Sequence, residues 1–157
     1  MARQLSRRSA KRGRKKPVKK GDAAAKRRAQ LRAVAEAYFA ALARKDFSAI
    51  PYDNNVTLRA PLAPGGVNNP LVGKEALRTV WWPPLLPALE GAKVTILDHY
   101  INERLTAICT EAVIQLVNPP ATLRVADRFT VNAAGKIIEQ ENHFDPRDVT
   151  NPGGQKT

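Results

Sequence analysis

The sequence predicts an α+β protein with helices early in the chain and antiparallel strands later. Residues 22–47 combine good helix formers with apolar side chains at three- and four-residue steps. Residues 92–144 instead alternate apolar and polar positions between clusters of Asn, Pro and Gly. A length of 157 residues suits one domain. We therefore expect helices packed on one face of an antiparallel sheet.

The positive charge lies at the N-terminus. Residues 1–28 hold 13 Lys and Arg against one acid, Asp22, which accounts for the whole net charge of +12. Few side chains there can be buried, so we expect disorder. The predicted division is a basic disordered tail at 1–28, a domain at 29–150 and a C-terminal tail at 151–157.

Three interpretations of the basic tail stay open. Its cations suit sequence-independent contact with nucleic acid or another polyanion, its Lys/Arg clusters resemble a nuclear-localisation signal, and it also fits a solubilising extension. The residues predicted to contact nucleic acid are Arg12, Arg14, Lys15, Lys16, Lys19 and Lys20.

Composition disfavours several classes of protein. No apolar run approaches the roughly 18–20 residues of a membrane span, and no apolar segment of a secretory signal follows the basic start. A single cysteine, Cys109, makes no intramolecular disulfide, which fits the cytoplasm, or the nucleus if the tail is a localisation signal. The spacing of His99 and His143 matches no metal motif, so we expect neither metal nor cofactor.

The first helix has one apolar face and a tyrosine within it. Asp22 is a candidate cap, and the first turns, through Arg32, are expected to project from the domain with the tail. The predicted buried positions are Leu31, Val34, Ala35, Tyr38, Phe39 and Leu42.

The middle of the chain predicts shorter elements. Residues 50–55 are interpreted as a turn, 56–60 as a strand, 64–70 as a loop and 73–82 as a second helix. Leu77 and either Val80 or Trp81 would face inward, and Pro83 and Pro84 would end this helix.

Four strands are predicted in the remainder of the domain, and the third contains a carboxylate on an apolar face. Alternation over 123–131 places Asp127 beside Leu123, Val125, Phe129 and Val131. Burying an unpaired carboxylate is costly, so Asp127 has a partner, keeps a proton or faces a ligand cavity. The four predicted strands are 92–100, 104–116, 122–131 and 136–144.

The last strand extends this surface. Alternation puts Gln140, Asn142 and Phe144 on the apolar face and His143 on the charged one, where it is interpreted as solvated or interfacial. Hairpin pairing would bring Asp127 near Gln140 or Asn142. Polar groups in an apolar concavity are typical of a small-molecule pocket.

Four segments together carry a resemblance to a known superfamily. They are AYFAALARKDFSAI at 37–50, DNNVTLRAP at 53–61, LVGKEALRTVWW at 71–82 and VADRFTVNAAGKIIEQ at 125–140. Their order resembles the nuclear transport factor 2-like (NTF2-like) superfamily of ketosteroid isomerases, SnoaL-type polyketide cyclases and limonene epoxide hydrolases. The resemblance implies a conical curved sheet wrapped by helices, a pocket at its open mouth and a homodimer formed through the outer sheet face.

The resemblance also implies roles for individual residues. Tyr38 matches the oxyanion-hole tyrosine of ketosteroid isomerases, and Asp127 matches their protonated aspartic acid. The general base of those enzymes falls at Ala60, which moves no proton. Isomerisation by that mechanism is therefore disfavoured.

Several outcomes stay open for a site with two donors and no base. Asp98, His99 or Glu111 is a candidate base on another wall, water is a candidate nucleophile, and binding without catalysis is a third reading. A buried Tyr38–Asp127 hydrogen bond is the purely structural alternative.

The favoured function is a SnoaL-like isomerase, cyclase or hydro-lyase for a small apolar or amphipathic ligand, with Tyr38 and protonated Asp127 stabilising an oxyanion. The alternative is a non-catalytic dimerisation or scaffold module that presents the basic tail. The predicted pocket residues are Tyr38, Trp81, Asp127, Gln140, Asn142 and Phe144.

Overall fold

The computed structural model describes residues 20–151 and places a long helix before most of the strands. Helix α1 (Lys20–Arg44) leads through a 3-10 turn (Phe47–Ala49) into β1 (Tyr52–Arg59). The elements that follow are β2 (Leu71–Val72), α2 (Lys74–Ala76), a π-helical turn (Leu77–Trp81), a 3-10 turn (Pro83–Leu85), β3 (Lys93–Ile101), β4 (Ala107–Val117), β5 (Pro120–Val131), β6 (Ile137–His143) and α3 (Arg147–Thr150).

The six strands form one curved sheet in the order β2-β1-β6-β5-β4-β3. Strands β3 to β6 form the predicted antiparallel meander, but β1 pairs in parallel with β6, so the sheet is mixed. Bulges between Ile96 and Asp98 and between Thr130 and Val131 bend the strands. This curved, helix-covered sheet confirms the predicted α+β cone.

Helix α1 supplies much of the core that fills the inner side of the sheet. Its predicted apolar face is buried from Leu31 to Leu42. The ring of Tyr38 lies 4.8 Å from that of Phe129 on β5 and 5.1 Å from that of Phe39, centroid to centroid. Such tilted and edge-on ring pairs favour a fixed orientation, which holds the tyrosine against the centre of the sheet.

The beginning of α1 differs from the prediction. The helix already includes Lys20, so Asp22 lies in its first turn and does not cap it. The Arg27 guanidinium donates to the backbone oxygens of Leu105 (2.9 Å), Val131 (2.7 Å) and Asn132 (2.9 Å). The expectation that the turns through Arg32 project from the domain is therefore wrong from Arg27 onward, and the helix begins two residues before its predicted start at Asp22.

Two elements in the middle of the chain also differ. Strand β1 begins at Tyr52 because a register shift between Tyr52 and Thr57 lets polar residues interrupt the apolar alternation. The predicted helix at 73–82 is α-helical only over Lys74–Ala76. It then widens into a π-turn, in which the Trp82 N–H donates to the Leu77 oxygen at 2.9 Å.

The π-turn settles which side chains of this segment face inward. Trp81 and Trp82 are both buried, whereas Val80 is exposed. No helix within residues 20–151 is both long and apolar enough to cross a membrane.

Candidate ligand-binding site around Asp127

Three polar side chains stand together on the inner face of the β5–β6 hairpin. Asp127 is directly opposite Asn142, and Gln140 lies two positions before Asn142 on the same face. All three side chains are buried. The structure thus brings together the residues that alternation and hairpin pairing placed on one surface.

Tyr38 joins this group from α1. Its hydroxyl oxygen accepts hydrogen bonds from Gln140 Nε2 at 3.0 Å and from Asn142 Nδ2 at 3.3 Å. Gln140 Nε2 also donates to Asn142 Oδ1 at 2.8 Å, and Asn142 Nδ2 donates to Asp127 Oδ2 at 3.4 Å. The two amides therefore connect the tyrosine to the carboxyl group.

Tyr52 completes the network and was missed by the sequence analysis. Its hydroxyl donates to Gln140 Oε1. Burial raises the pKa of both Tyr38 and Tyr52 well above the ordinary tyrosine value, so both phenols stay protonated at neutral pH. The apolar pattern of a strand begins at Val56, which is why the polar stretch before it was interpreted as a turn.

Asp127 is the residue whose charge state is most altered by the fold. Burial raises the pKa of its carboxyl group to about 8, and a hydrogen bond with Tyr38 opposes this rise. The group is therefore mostly protonated at neutral pH. No described residue hydrogen-bonds Oδ1, although the atom is buried.

A cavity of about 110 Å³ adjoins this network. Tyr38, Asp127 and Asn142 contribute its polar lining, and the remaining walls are apolar, including Ala60 and Val125. A single water molecule needs roughly 10–15 Å³ of cavity volume, so a cavity of this size admits a small organic molecule. An almost apolar cavity with a few polar groups at one wall has the composition of a ligand pocket.

The predicted pocket residues divide into two groups. Trp81 and Phe144 line the cavity together with Tyr38, Asp127 and Asn142. Gln140 lies behind them, 1% exposed, where it holds Tyr38 and Asn142. Leu85 and Val149, which also line the cavity, were not predicted because nothing in their sequence pattern showed where these segments fold back.

The three candidate bases, Asp98, His99 and Glu111, all lie within the described residues, and none of them lines the cavity. Asp98 is exposed, and Glu111 borders a shallow depression on the outer face of the sheet with His143. His99 lies on the inner side, where its Nδ1 is 2.9 Å from Thr110 Oγ1. The position that would carry the isomerase base, Ala60, does line the cavity and is an alanine.

Two further predictions concern ions and the tail. Residues 20–151 contain no group of three or more His, Cys, Asp or Glu side chains that could hold a metal ion. Of the predicted nucleic-acid contacts, Arg12, Arg14, Lys15, Lys16 and Lys19 lie outside the described residues, as does the side chain of Lys20.

Comparison with protein families identifies the class of this molecule. Residues 35–140 match the model of the SnoaL-like domain. Since the match spans most of the chain, the protein belongs to the SnoaL-like family. Among curated proteins, no sequence matches it.

Solved structures of related fold include enzymes and a ligand complex. The epoxide hydrolase/cyclase-like enzyme SalBIII, described for pyran ring formation in salinomycin, is 15% identical, with a TM-score of 0.64 over 77% of this chain and 95% of that chain. Mycobacterium tuberculosis Rv0760c, in complex with estradiol-17β-hemisuccinate, is 13% identical, with a TM-score of 0.62 over 76% and 96%.

A third structure, an epoxide hydrolase of the LEH-like type from Mycobacterium tuberculosis, is 19% identical, with a TM-score of 0.58 over 78% of this chain and 87% of that chain. At such low identities the three likenesses concern the fold.

Proposed function

We propose that this protein is a SnoaL-like enzyme of the isomerase, cyclase or hydro-lyase type, in which protonated Asp127 stabilises negative charge developing on a substrate oxygen. The observation that carries the proposal is a buried carboxyl group with a pKa of about 8 at the wall of an apolar cavity, with one oxygen that no described residue hydrogen-bonds. A neutral acid in a dry cavity is a strong hydrogen-bond donor to an oxyanion.

The hydrogen-bond network supports a particular location for the acid proton. Asn142 Nδ2 donates to Asp127 Oδ2, which must therefore act as the acceptor. The proton is then carried by Oδ1, the oxygen without a partner among the described residues. The Tyr38 hydroxyl lines the same wall and is the candidate second donor to the same substrate oxygen.

Family relationships support the reaction type and leave the substrate open. SalBIII is described as an epoxide hydrolase/cyclase-like enzyme, and another structure of the same fold is an epoxide hydrolase. Reactions of this kind develop charge on a carbonyl, ether or epoxide oxygen. The small apolar cavity favours a compact apolar or amphipathic substrate.

Binding of 4-nitrophenol, whose phenolate mimics an oxyanion and whose absorbance reports ionisation, tests the proposal. Asp127→Asn and Tyr38→Phe should each weaken binding of the phenolate by at least about tenfold, because a hydrogen bond to a charged group contributes about 1.5–3 kcal/mol. Asp98→Asn and Tyr100→Phe, on exposed side chains, are the matched controls.

Two outcomes would contradict the proposal. Unchanged phenolate affinity in both site variants would remove the oxyanion role. Loss of the folded state in both, detected by circular dichroism, would make the Tyr38–Asp127 pair structural.

A second function, contact of the basic tail with nucleic acid, is proposed on a separate observation. Arg27 fixes α1 to Val131 and Asn132 at the end of β5, whereas the cavity is lined by Leu123 and Val125 near the start of β5. The N-terminal part of α1, as far as it is described, is therefore anchored away from the cavity. Both activities are compatible in one molecule.

A homodimer is proposed through the outer face of the sheet. Leu97 and Tyr100 on β3 are about half exposed there, and Leu97 borders a depression with Ala126 and His143. Exposed apolar side chains grouped on one sheet face are typical of an interface. Light scattering of the wild type and Tyr100→Glu would test it, with a monomeric wild type contradicting the proposal.

A further inference from the structure

A row of polar side chains crosses four strands and ends at the candidate acid. His99 on β3 stands opposite Thr110 on β4, Thr110 opposite Asp127 on β5, and Asp127 opposite Asn142 on β6. Thr110, Asp127 and Asn142 are buried in the otherwise apolar inner face. Polar residues at consecutive paired positions in a core need a reason, since each costs desolvation energy.

His99 connects this row to the surface. Its Nδ1 lies 2.9 Å from Thr110 Oγ1, and its Nε2 lies 3.8 Å from Glu36 Oε1 on α1. The His99 side chain is 10% exposed and that of Glu36 is 59% exposed. The imidazole therefore lies between a solvated carboxylate and a fully buried hydroxyl group.

Thr110 lies between the imidazole and Asp127. A threonine hydroxyl has one proton to donate and two lone pairs, so it can accept from one neighbour while donating to another. Side chains at directly opposed positions of antiparallel strands have Cβ atoms about 4.5–5.5 Å apart, within reach of a hydrogen bond after side-chain rotation. No described residue hydrogen-bonds Asp127 Oδ1, so no competing hydrogen bond keeps this atom away from the Thr110 hydroxyl.

The other neighbours of Asp127 provide no comparable path for a proton between the carboxyl group and solvent. Asn142 leads to Gln140, and from there to the buried phenols of Tyr38 and Tyr52. Amides and phenols with raised pKa values do not exchange protons readily at neutral pH. The cavity is the direct approach to Asp127, and a bound ligand would fill it.

We propose that His99 and Thr110 form a proton path between solvent and Asp127 that stays open when a ligand occupies the cavity. This inference rests on the proposed function, since it supplies the acid of that site with its proton. His99 and Thr110 are positioning and proton-transfer residues behind the site and do not touch the ligand.

The transfer balances as one proton in and one proton out. A solvent proton binds His99 Nε2 beside Glu36, the Nδ1 proton moves to Thr110 Oγ1, and the original hydroxyl proton of Thr110 moves to the Asp127 carboxylate. His99 ends neutral in its other tautomer, and the reverse sequence releases the proton. The ionisable groups around the path are Glu36 and Tyr38 on α1, Tyr52 on β1, Asp98 on β3 and Cys109 on β4.

Exchange at Asp127 can be measured without a substrate. The full chain, labelled with ¹³C at Asp side-chain carboxyls, is titrated from about pH 5 to about pH 9 with toluene filling the cavity, and Asp127→Asn assigns the signal. We expect wild type to show one averaged carboxyl signal. Thr110→Val and His99→Gln should show separate signals for the protonated and ionised forms, with exchange slowed at least about tenfold.

Matched variants make the result specific. Thr110→Ser keeps the hydroxyl and should restore the wild-type line shape, and His143→Gln, on the outer face, should leave it unchanged. A Thr110→Val signal averaged as in wild type would overturn the path while leaving the proposed acid intact. An Asp127 signal that stays ionised throughout the titration would contradict the acid itself, and the path with it.

Discussion

At the scale of single residues, the site depends on a carboxyl group that the fold keeps neutral. Asp127 is surrounded by apolar walls and by amide and phenol groups, with no described cation to pair with it. Ionising an acid in such surroundings costs desolvation energy that no neighbour returns. The fold therefore keeps the Asp127 carboxyl group mostly protonated at neutral pH, as the proposed chemistry requires.

The pKa of Asp127 predicts how stability depends on pH. The folded protein holds this proton up to about pH 8, whereas the unfolded chain releases it near the ordinary value of 3.8. Between these values the folded state binds more protons, so the free energy of unfolding falls as pH rises, by about 1.4 kcal/mol per pH unit from this group. The decline should level off above about pH 8.

Urea unfolding at several pH values compares wild type with Asp127→Asn, which cannot ionise. We expect the variant to gain stability relative to wild type as pH rises. A difference between wild type and Asp127→Asn that is constant with pH would contradict the raised pKa.

Removing the hydroxyl of Tyr38 tests the energetic role of the network. In Tyr38→Phe, one N–H of Gln140 and one of Asn142 lose their acceptor while staying buried. A buried donor without an acceptor costs about 1–3 kcal/mol, so we expect a loss of that order in chemical denaturation. Tyr100→Phe, on an exposed side chain, should change stability by less than about 0.5 kcal/mol.

The sequence predicted much of this site, for identifiable reasons. Alternation placed Asp127 on a buried face, and hairpin pairing brought it near Asn142 and Gln140. The roles of Tyr38 and Ala60 came from the family resemblance. Tyr52 was not predicted to be part of the site because a register shift interrupts the alternation of apolar and polar residues around it. The contact of His99 with Thr110 depends on strand register, which alternation alone does not determine.

At the scale of elements, α1 is anchored at its N-terminal end by one side chain. Arg27 bridges the backbone oxygens of Leu105, Val131 and Asn132 and also donates to Gln30. The sequence shows only one more arginine in a basic stretch, so this role was not predictable from charge or periodicity. The anchor holds the N-terminal part of α1 against the ends of the neighbouring strands.

Arg27→Ala should release the first turns of α1. Alanine is as good a helix former as arginine, so the effect would report lost contacts. We expect stability to fall by about 1–3 kcal/mol and amide hydrogen exchange over residues 20–30 to become faster. Arg28→Ala, on an exposed neighbour, is the control, and equal exchange in both variants would contradict the anchor.

The conformation or pairing of two other elements could not be predicted from local sequence patterns. The segment after Gly73 has good helical composition, yet burying both Trp81 and Trp82 requires the wider π-turn. The parallel pairing of β1 with β6 joins segments far apart in sequence, and neither alternation nor turn chemistry specifies such a partner.

At the scale of the whole molecule, the space for a ligand in the cavity can be changed without changing the protonation of Asp127. Ala60→Leu adds apolar atoms at a cavity wall and removes no member of the hydrogen-bond network. We expect binding of 4-nitrophenol to weaken at least about tenfold, while Asp127 titrates as before and the melting temperature does not fall. Unchanged binding would mean that this cavity is not where the ligand lies.

The last prediction separates the basic tail from the domain. Deleting residues 1–19 removes nine Lys and Arg and no acid, which is most of the net charge, and leaves α1 and Arg27 in place. A deletion through residue 28 would also remove the anchor and confuse the two effects. We therefore expect the shorter deletion to leave the melting temperature and phenolate binding unchanged.

Duplex DNA binding should behave differently in the same variant. Each phosphate neutralised by a tail cation contributes about 0.9 to the slope of log affinity against log salt concentration, so the full chain should bind with a steep salt dependence. Fluorescence anisotropy should show that affinity lost on deletion of 1–19, with heparin competing in the full chain. DNA binding retained by the deleted chain, with the same salt dependence, would assign that binding to residues 20–157 and contradict the role of the tail.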